Sequence, residues 1–198
     1  MNIVFDLGGV VFNWQPDAII RSIFEDTDTQ KLVREKVFQH GDWIELDRGS
    51  IALEQAIDSG AARTGLPAED IERLFGAVPR FLTPIEATIE LIYALSSTRN
   101  SLFVLSNMHL ASIVYLEQRH TFWEVFDGIV ISSRINMVKP EIQIYEYLLD
   151  RYQLKPSNTV FIDDLQENLA AASSIGIQTI RFASPAKCRR ALVDLECI

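Results

Sequence analysis

Four short segments of this chain carry side chains that can act on a phosphate ester. They are Asp6-Leu7-Gly8-Gly9, Ser106-Asn107, Lys139-Pro140 and Asp163-Asp164. A carboxylate can attack phosphorus and form an acyl phosphate, which divides hydrolysis into two easier steps. A hydroxyl and an ammonium group can bind phosphoryl oxygens, and neighbouring carboxylates are typical ligands of Mg²⁺. The four segments together predict a site for a phosphate ester and a divalent cation.

The elements that must position these residues are short apolar strands alternating with helices. Apolar runs predict buried strands at residues 3–5, 102–105, 129–131, 160–162 and 177–180. Helical patterns lie at residues 84–96, 110–119, 141–152 and 165–174. This alternation predicts an α/β fold with a Rossmann-like parallel sheet and helices on both faces. The four segments should then meet at the carboxyl edge of the sheet, where such folds bind ligands.

The region between the first two predicted strands has a different pattern, with amphipathic helical stripes and no convincing strand. We therefore predict a small helical cap inserted after the first strand, with residues 1–16 and 82–198 as the core domain and residues 17–81 as the cap. Within it, residues 41–50 are predicted to be a helix-to-helix loop, which could face the site and contact a polar sugar or, as the favoured interpretation, pack Trp43 and leave its charges solvated. Ser50 is a candidate N-cap for the helix that follows.

With these motifs in this order, the chain resembles the haloacid dehalogenase-like (HAD) hydrolase superfamily over nearly its whole length. The similarity is to the small-capped phosphatase branch, which includes bacterial sugar-phosphate phosphatases of the glucose-1-phosphate type and the N-terminal phosphatase domain of epoxide hydrolase. The resemblance implies that Asp6 is the nucleophile. It also implies that Ser106, Asn107 and Lys139 bind the phosphoryl oxygens, with Lys139 sharing the catalytic role.

The resemblance further implies Mg²⁺ as the cofactor. Asp6, the backbone carbonyl of Gly8 and Asp164 match the protein ligands of that family, and Asp163 matches a supporting residue or an alternative ligand. The chemistry agrees with this assignment, because carboxylates crowded beside Asp6 would repel one another without a cation.

Gly8 departs from the family pattern, which usually has a second aspartate at this position to protonate the leaving oxygen and later activate water. General acid–base catalysis is worth about 10² to 10⁴ in rate, so its loss needs an explanation. The leaving group could be a good one, such as the anomeric oxygen of a sugar 1-phosphate. Another side chain could supply the proton, and Asp47, His40 and His109 are the candidates. The third possibility is that the chain has lost catalysis.

We predict a Mg²⁺-dependent hydrolase of small phosphomonoesters, with a sugar phosphate as the expected substrate and an aspartyl-phosphate intermediate. One alternative is a haloacid dehalogenase, which also lacks the second aspartate but needs no metal; the pair Asp163-Asp164 argues against it. The other alternative is a ligand-binding or regulatory protein of the same fold, impaired by Gly8.

The composition and the first residues indicate which binding partners and which cellular location to expect. The formal net charge of −9 disfavours binding to nucleic acid or anionic membranes, which requires clustered Lys and Arg. A small phosphorylated metabolite is therefore the expected partner, and the oligomeric state stays open. Cys188 and Cys197 are expected to be spare thiols. The first residues read as a core strand with no secretory signal, which predicts a cytoplasmic protein.

Overall fold

The computed structural model describes residues 1–198 and contains one sheet of five parallel strands. The strands are β1 Asn2–Phe5, β2 Ser101–Ser106, β3 Gly128–Ile131, β4 Thr159–Asp163 and β5 Gln178–Arg181. Their order across the sheet is β3-β2-β1-β4-β5, so β1 is central. The last residue of β1, Phe5, is paired with Val104 on one side and Ile162 on the other.

The structure contains eleven α-helices, six between β1 and β2 and five after β2. Those between β1 and β2 are α1 Pro16–Ile23, α2 Thr27–Val33, α3 Gly41–Arg48, α4 Leu53–Thr64, α5 Ala68–Phe81 and α6 Glu86–Ser96. The others are α7 Leu110–Arg119, α8 Ser132–Ile135, α9 Ile142–Tyr152, α10 Gln166–Ser174 and α11 Pro185–Asp194. A π-helical segment, Arg34–Phe38, follows α2 directly. No helix is both long and apolar enough to span a membrane.

Two apolar clusters cover the two faces of the sheet. Successive residues of a strand point to opposite faces, and accordingly Ile3 and Phe5 belong to a cluster of 24 buried residues while Val4 belongs to a second cluster of 12. Both faces of β1 are thus shielded from water, as the uninterrupted apolar run predicts. The predicted α/β fold, a parallel sheet covered by helices on both sides, is confirmed.

The segment from α1 to α5 contains no strand and has an apolar cluster of its own. Twelve buried residues form this third cluster, and Ile19, Ile71 and Leu74 are among its most buried members. We refer to α1 through α5 as the inserted helices. The predicted division into a core domain and a cap at residues 17 and 81 stays a prediction.

Residues 41–50 were predicted to be a loop, and this prediction is wrong because α3 occupies Gly41–Arg48. The ring of His40 caps the helix by accepting a hydrogen bond from a backbone N–H of the first turn, which compensates for a glycine at the first position. Gly49 ends the helix with a φ of 83°, a conformation that favours glycine. Ser50 is not an N-cap either; its hydroxyl donates to the carbonyl of Glu45.

Candidate active site

Asp6 lies directly after the central strand, at the carboxyl edge of the sheet. Its backbone N–H donates to the carbonyl of Ile162 at 3.0 Å, which continues the pairing with β4 by one residue. Its Oδ1 accepts a hydrogen bond from the N–H of Leu7 at 2.7 Å, and the residue is 7% exposed. The chain then turns at Gly9, where φ is 76°. The strand and the turn together fix the carboxylate at the end of β1.

Two further carboxylates reach the same point from β4. Asp163 is the last residue of that strand and Asp164 follows it, and oxygen atoms of these two residues and of Asp6 all lie within 4.8 Å of one another. A Cβ at Gly9 would lie 2.6 Å from Oδ2 of Asp164, so a larger residue there would displace that carboxylate. Three carboxylates in so small a volume form the kind of oxygen-rich site that hard divalent cations bind.

Lys139 neutralises part of this charge. Its ammonium lies 2.9 Å from Oδ1 of Asp6 and 2.7 Å from Oδ2 of Asp163, and the residue is almost fully buried. Asp163 also accepts hydrogen bonds from the N–H of Leu165 and from the amide of Asn168. Both oxygens of Asp163 are therefore occupied by protein donors, whereas the carboxylate of Asp164 is hydrogen-bonded only to its own backbone N–H.

The electrostatics of the cluster call for another positive charge. Burial raises the pKa of Asp6 above its ordinary value, and the attraction of Lys139 only partly opposes this effect. Burial disfavours the charged form of Lys139, but Asp6 and Asp163 attract it and raise its pKa, so it stays an ammonium. Burial and the neighbouring charge of Asp163 also raise the pKa of Asp164. Three carboxylates beside one ammonium are thus not balanced by the protein alone.

Ser106 and Asn107 approach from the end of β2, on the other side of Asp6. The hydroxyl of Ser106 is completely buried and has no hydrogen-bond partner, although it lies close enough to Asp6 to lower the pKa of that carboxyl slightly. Leaving a buried hydroxyl unpaired costs about 1 to 3 kcal/mol, which a ligand oxygen could relieve. The amide of Asn107 donates to the carbonyl of Lys139 at 2.9 Å and accepts from its N–H at 2.8 Å.

A cavity of about 510 Å³ opens above these residues. The sheet edge and its loops contribute the polar floor, which contains Asp6, Gly8, Asn107, Lys139 and Asp164. The inserted helices and neighbouring segments contribute a wall that includes Trp14, Trp43, Ile44, Asp47, Arg48, Val78 and Leu82. The predicted site residues therefore converge on one cavity, with the side chains of Ser106 and Asp163 buried beside it.

Comparison with known proteins identifies the family. The family model described as haloacid dehalogenase-like hydrolase matches residues 3–182. The chain belongs to this family. The HAD-like assignment made from the motifs is thereby confirmed.

Individual relatives of this HAD-like hydrolase include two named phosphatases. The sesquiterpene phosphatase astK of Aspergillus oryzae is 27% identical over 88% of the chain and 85% of its own length. The D-ribitol-5-phosphate phosphatase of Bacteroides thetaiotaomicron is 24% identical over 96% of both chains. Other curated relatives are longer, and the chain spans between 10% and 36% of their length.

Among solved structures, a HAD-family enzyme of Bacteroides thetaiotaomicron has the same fold. That protein is in complex with magnesium and inorganic phosphate; the TM-score is 0.74, with 22% identity over 92% of this chain and 93% of the other. Its low identity makes it evidence for the fold alone.

Two further residues at the cavity of this HAD-like hydrolase have structural roles that the sequence did not indicate. The guanidinium of Arg48 makes two hydrogen bonds with Glu141, at 2.8 and 2.7 Å, and thereby joins α3 to the start of α9 just after Lys139-Pro140. The amide of Asn168 orients Asp163 from α10. Neither contact has a sequence signal: Arg48 and Glu141 are 93 residues apart, and an Asn in the first turn of a helix does not reveal which side chain it bonds.

The two histidines named as candidate proton donors, His40 and His109, are both helix caps. His109 is 3% exposed because it caps α7: its Nδ1 accepts from the N–H of Ser112, and its Nε2 pairs with the hydroxyl of the same residue. Burial lowers the pKa of His109 to about 4. His40 caps α3, pairs with Asp42 and does not line the cavity. Asp47 does line it and is 8% exposed.

Proposed function

We propose that this HAD-like hydrolase cleaves small phosphomonoesters with Mg²⁺ as its cofactor, through an aspartyl-phosphate formed on Asp6. The observation that carries the proposal is the convergence of the oxygens of Asp6, Asp163 and Asp164 within 4.8 Å, beside the ammonium of Lys139. The two related phosphatases and the magnesium–phosphate complex of the structural neighbour support it.

The donor set fits the cation. Asp6, the backbone carbonyl of Gly8 and Asp164 would hold it, since Asp163 is already engaged by Lys139 and Asn168. The all-oxygen set suits Mg²⁺, which takes few protein ligands. When bound, the ion supplies positive charge that neutralises the phosphoryl group.

The remaining steps of the reaction are assigned to side chains of the protein. Asp6 attacks phosphorus as the ester bond breaks, and water later hydrolyses the aspartyl-phosphate. Lys139 favours the ionised form of Asp6 and offsets the charge of the phosphoryl oxygens. The unpaired hydroxyl of Ser106 is available to donate to one of those oxygens. Asn107 holds the backbone of Lys139 and so keeps the ammonium in place.

The organic part of the substrate would lie against the cavity wall. A sugar phosphate remains the substrate expected from the motifs, and a relative that acts on ribitol 5-phosphate supports it. The apolar side chains of Trp14, Trp43, Ile44, Val78 and Leu82 on the wall favour a second candidate, a monophosphate ester of a small terpene alcohol, in line with the sesquiterpene phosphatase. Phosphate release from matched sugar and terpenyl phosphates decides between them.

The proposal is tested with Asp6→Asn and with chelation. Asp6→Asn should abolish phosphate release from every ester, because an amide cannot form the acyl phosphate. EDTA should silence the wild-type protein and Mg²⁺ should restore it, whereas a haloacid dehalogenase would keep releasing halide from 2-haloacids in EDTA. Unchanged phosphate release by the variant would defeat the proposal. Tight binding of phosphate with no turnover of any ester would favour the regulatory alternative.

A further inference from the structure

The chemistry proposed above lacks a proton donor at the expected place. Gly8 lines the cavity but has no side chain, and a Cβ built there would meet nothing within 4 Å. A leaving alkoxide is strongly basic, so without a proton the ester bond to an ordinary alcohol breaks slowly. The structure must supply an acid elsewhere in the cavity or be restricted to esters with good leaving groups.

Neither histidine can be this acid. His40 lies outside the cavity. Both ring nitrogens of His109 are engaged by Ser112 of its own helix turn, and its lowered pKa leaves the ring uncharged at neutral pH. A neutral imidazole whose two nitrogens are both occupied has no proton to give to a substrate.

Asp47 is the carboxyl group of the inserted helices that shares the cavity with Asp6. It belongs to the last turn of α3, and its backbone carbonyl accepts a hydrogen bond from the hydroxyl of Ser132, at the end of β3. The same hydroxyl accepts from the N–H of Met108, in the loop after β2. One buried serine thus ties Asp47 to the two loops beside the phosphate site.

The neighbouring residue strengthens this attachment. Arg48 pairs with Glu141 through two hydrogen bonds, and its carbonyl accepts from the amide of Asn136. The last turn of α3 is therefore held over the cavity by contacts of Asp47 and of Arg48. A proton donor must be held in place beside the reacting group, and these contacts hold the backbone of Asp47 at the cavity that it shares with Asp6.

The environment of Asp47 also suits a proton carrier. Burial raises the pKa of its carboxyl to about 7, an effect that the N–H of His109 and the indole of Trp43 oppose in part. The charge of Asp6 raises the pKa further and that of Lys139 lowers it. A carboxyl that is partly protonated at neutral pH can give a proton in one half-reaction and accept one in the next.

We propose that Asp47 is the general acid and base of this enzyme, in place of the carboxyl group that Gly8 lacks; the inference rests on the phosphatase function proposed above. As Oδ of Asp6 bonds to phosphorus and the ester bond breaks, the carboxyl proton of Asp47 passes to the leaving oxygen, which departs as the alcohol. Asp47 is then a carboxylate. It takes a proton from the water that attacks phosphorus, so that inorganic phosphate and the carboxylate of Asp6 are released and Asp47 is protonated again.

The test compares leaving groups in Asp47→Asn and Asp47→Ser. p-Nitrophenyl phosphate releases a weakly basic phenolate that departs without a proton, whereas a primary alkyl phosphate releases a strongly basic alkoxide. We expect kcat/KM to fall about 10² to 10⁴-fold for the alkyl ester and less than about tenfold for the nitrophenyl ester. Asp47→Glu, which keeps an acid, should retain more of the alkyl activity. Two variants are made so that a folding failure in one leaves the other to decide.

The controls separate this inference from the function on which it rests. Asp42→Asn changes a carboxyl on the same helix but outside the cavity and should affect neither ester. If the wild-type protein hydrolyses neither ester, the proposed function fails. If the wild-type protein is active and the Asp47 variants lose the same factor on both esters, or lose nothing on the alkyl ester, the assignment of Asp47 is overturned and the function stands.

Discussion

Replacing Asp47 by Asn should make the protein more stable at alkaline pH, even as it removes the proposed acid. Asp47 has an ordinary pKa of 3.8 that burial raises to about 7 in the folded protein. Between these values the folded state keeps a proton that the unfolded state has lost. The stability that this group contributes is therefore complete below pH 3.8 and is lost as the pH rises through 7. Asn is neutral at every pH and does not contribute this loss.

The expected magnitude follows from linkage. Each pH unit between the two pKa values changes the free energy of unfolding by about 1.4 kcal/mol per proton. From pH 5 to pH 8 the wild-type protein should thus lose about 2.5 kcal/mol through this group, nearly all of it below pH 7. Asp6 has a raised pKa as well, and His109 has a lowered pKa that acts in the opposite direction. Both are present in wild type and variant, so the difference between the two proteins reports on Asp47, including its interaction with the charge of Asp6.

The assay is urea unfolding at pH 5 and pH 8, in EDTA and with no phosphate, followed by tryptophan fluorescence. Subtracting the wild-type free energy of unfolding from that of Asp47→Asn should give a value that is about 2.5 kcal/mol more positive at pH 8 than at pH 5. Asp58→Asn, which removes an exposed carboxyl of α4, serves as the matched control for net charge. A difference that stays constant within about 0.5 kcal/mol between the two pH values would refute the claim that burial dominates at Asp47.

Three further predictions concern the floor of the cavity. Gly9→Ala should weaken Mg²⁺ binding in a titration and lower stability by about 1 kcal/mol or more, because its Cβ would overlap Asp164 and its φ is positive. Gly8→Ala has open space and should do neither, so equal effects would contradict the geometry. Gly8→Asp combined with Asp47→Asn should recover alkyl phosphate hydrolysis relative to Asp47→Asn alone; no recovery would show that position 8 does not reach the leaving oxygen. Lys139→Met should cost about 3 to 5 kcal/mol in urea unfolding, since it leaves buried carboxylates unpaired, and a loss below 1 kcal/mol would contradict that pairing.

The sheet could be predicted from the sequence because its signal is local. Runs such as residues 3–5 and 102–105 are apolar at every position, and a strand covered on both sides accommodates them. The helix predicted at residues 110–119 coincides with α7, Leu110–Arg119, and those predicted at 141–152 and 165–174 begin within one residue of α9 and α10, whereas α8 and α11 were not predicted. Because parallel strands all end at the same edge of the sheet, the four motifs could be predicted to lie together without knowledge of any side-chain contact.

The wall of the cavity could not be predicted in the same way. Residues 41–48 contain Gly41, Asp42 and Trp43, whose local preferences favour a turn, and the helix forms because Trp43 stacks on Phe38 and Phe75 in the core of the inserted helices. The capping role of His109 could not be predicted either, because it depends on a ring nitrogen accepting a hydrogen bond from the N–H of Ser112 in the first turn of α7. Such contacts are decided by packing, for which the sequence has no periodic signal.

The substitution at Gly8 and the burial of Asp47 are explained by one physical argument. An acid at position 8 would stand beside the carboxylates that the proposal assigns to the cation, where nearby charges would set its pKa. On α3 the carboxyl lies against Trp43, and burial is the largest influence on its pKa. The acid then depends on the inserted helices being seated on the sheet, which the two hydrogen bonds between Arg48 and Glu141 maintain. The proposed proton transfer therefore depends on the position of a single helix, α3.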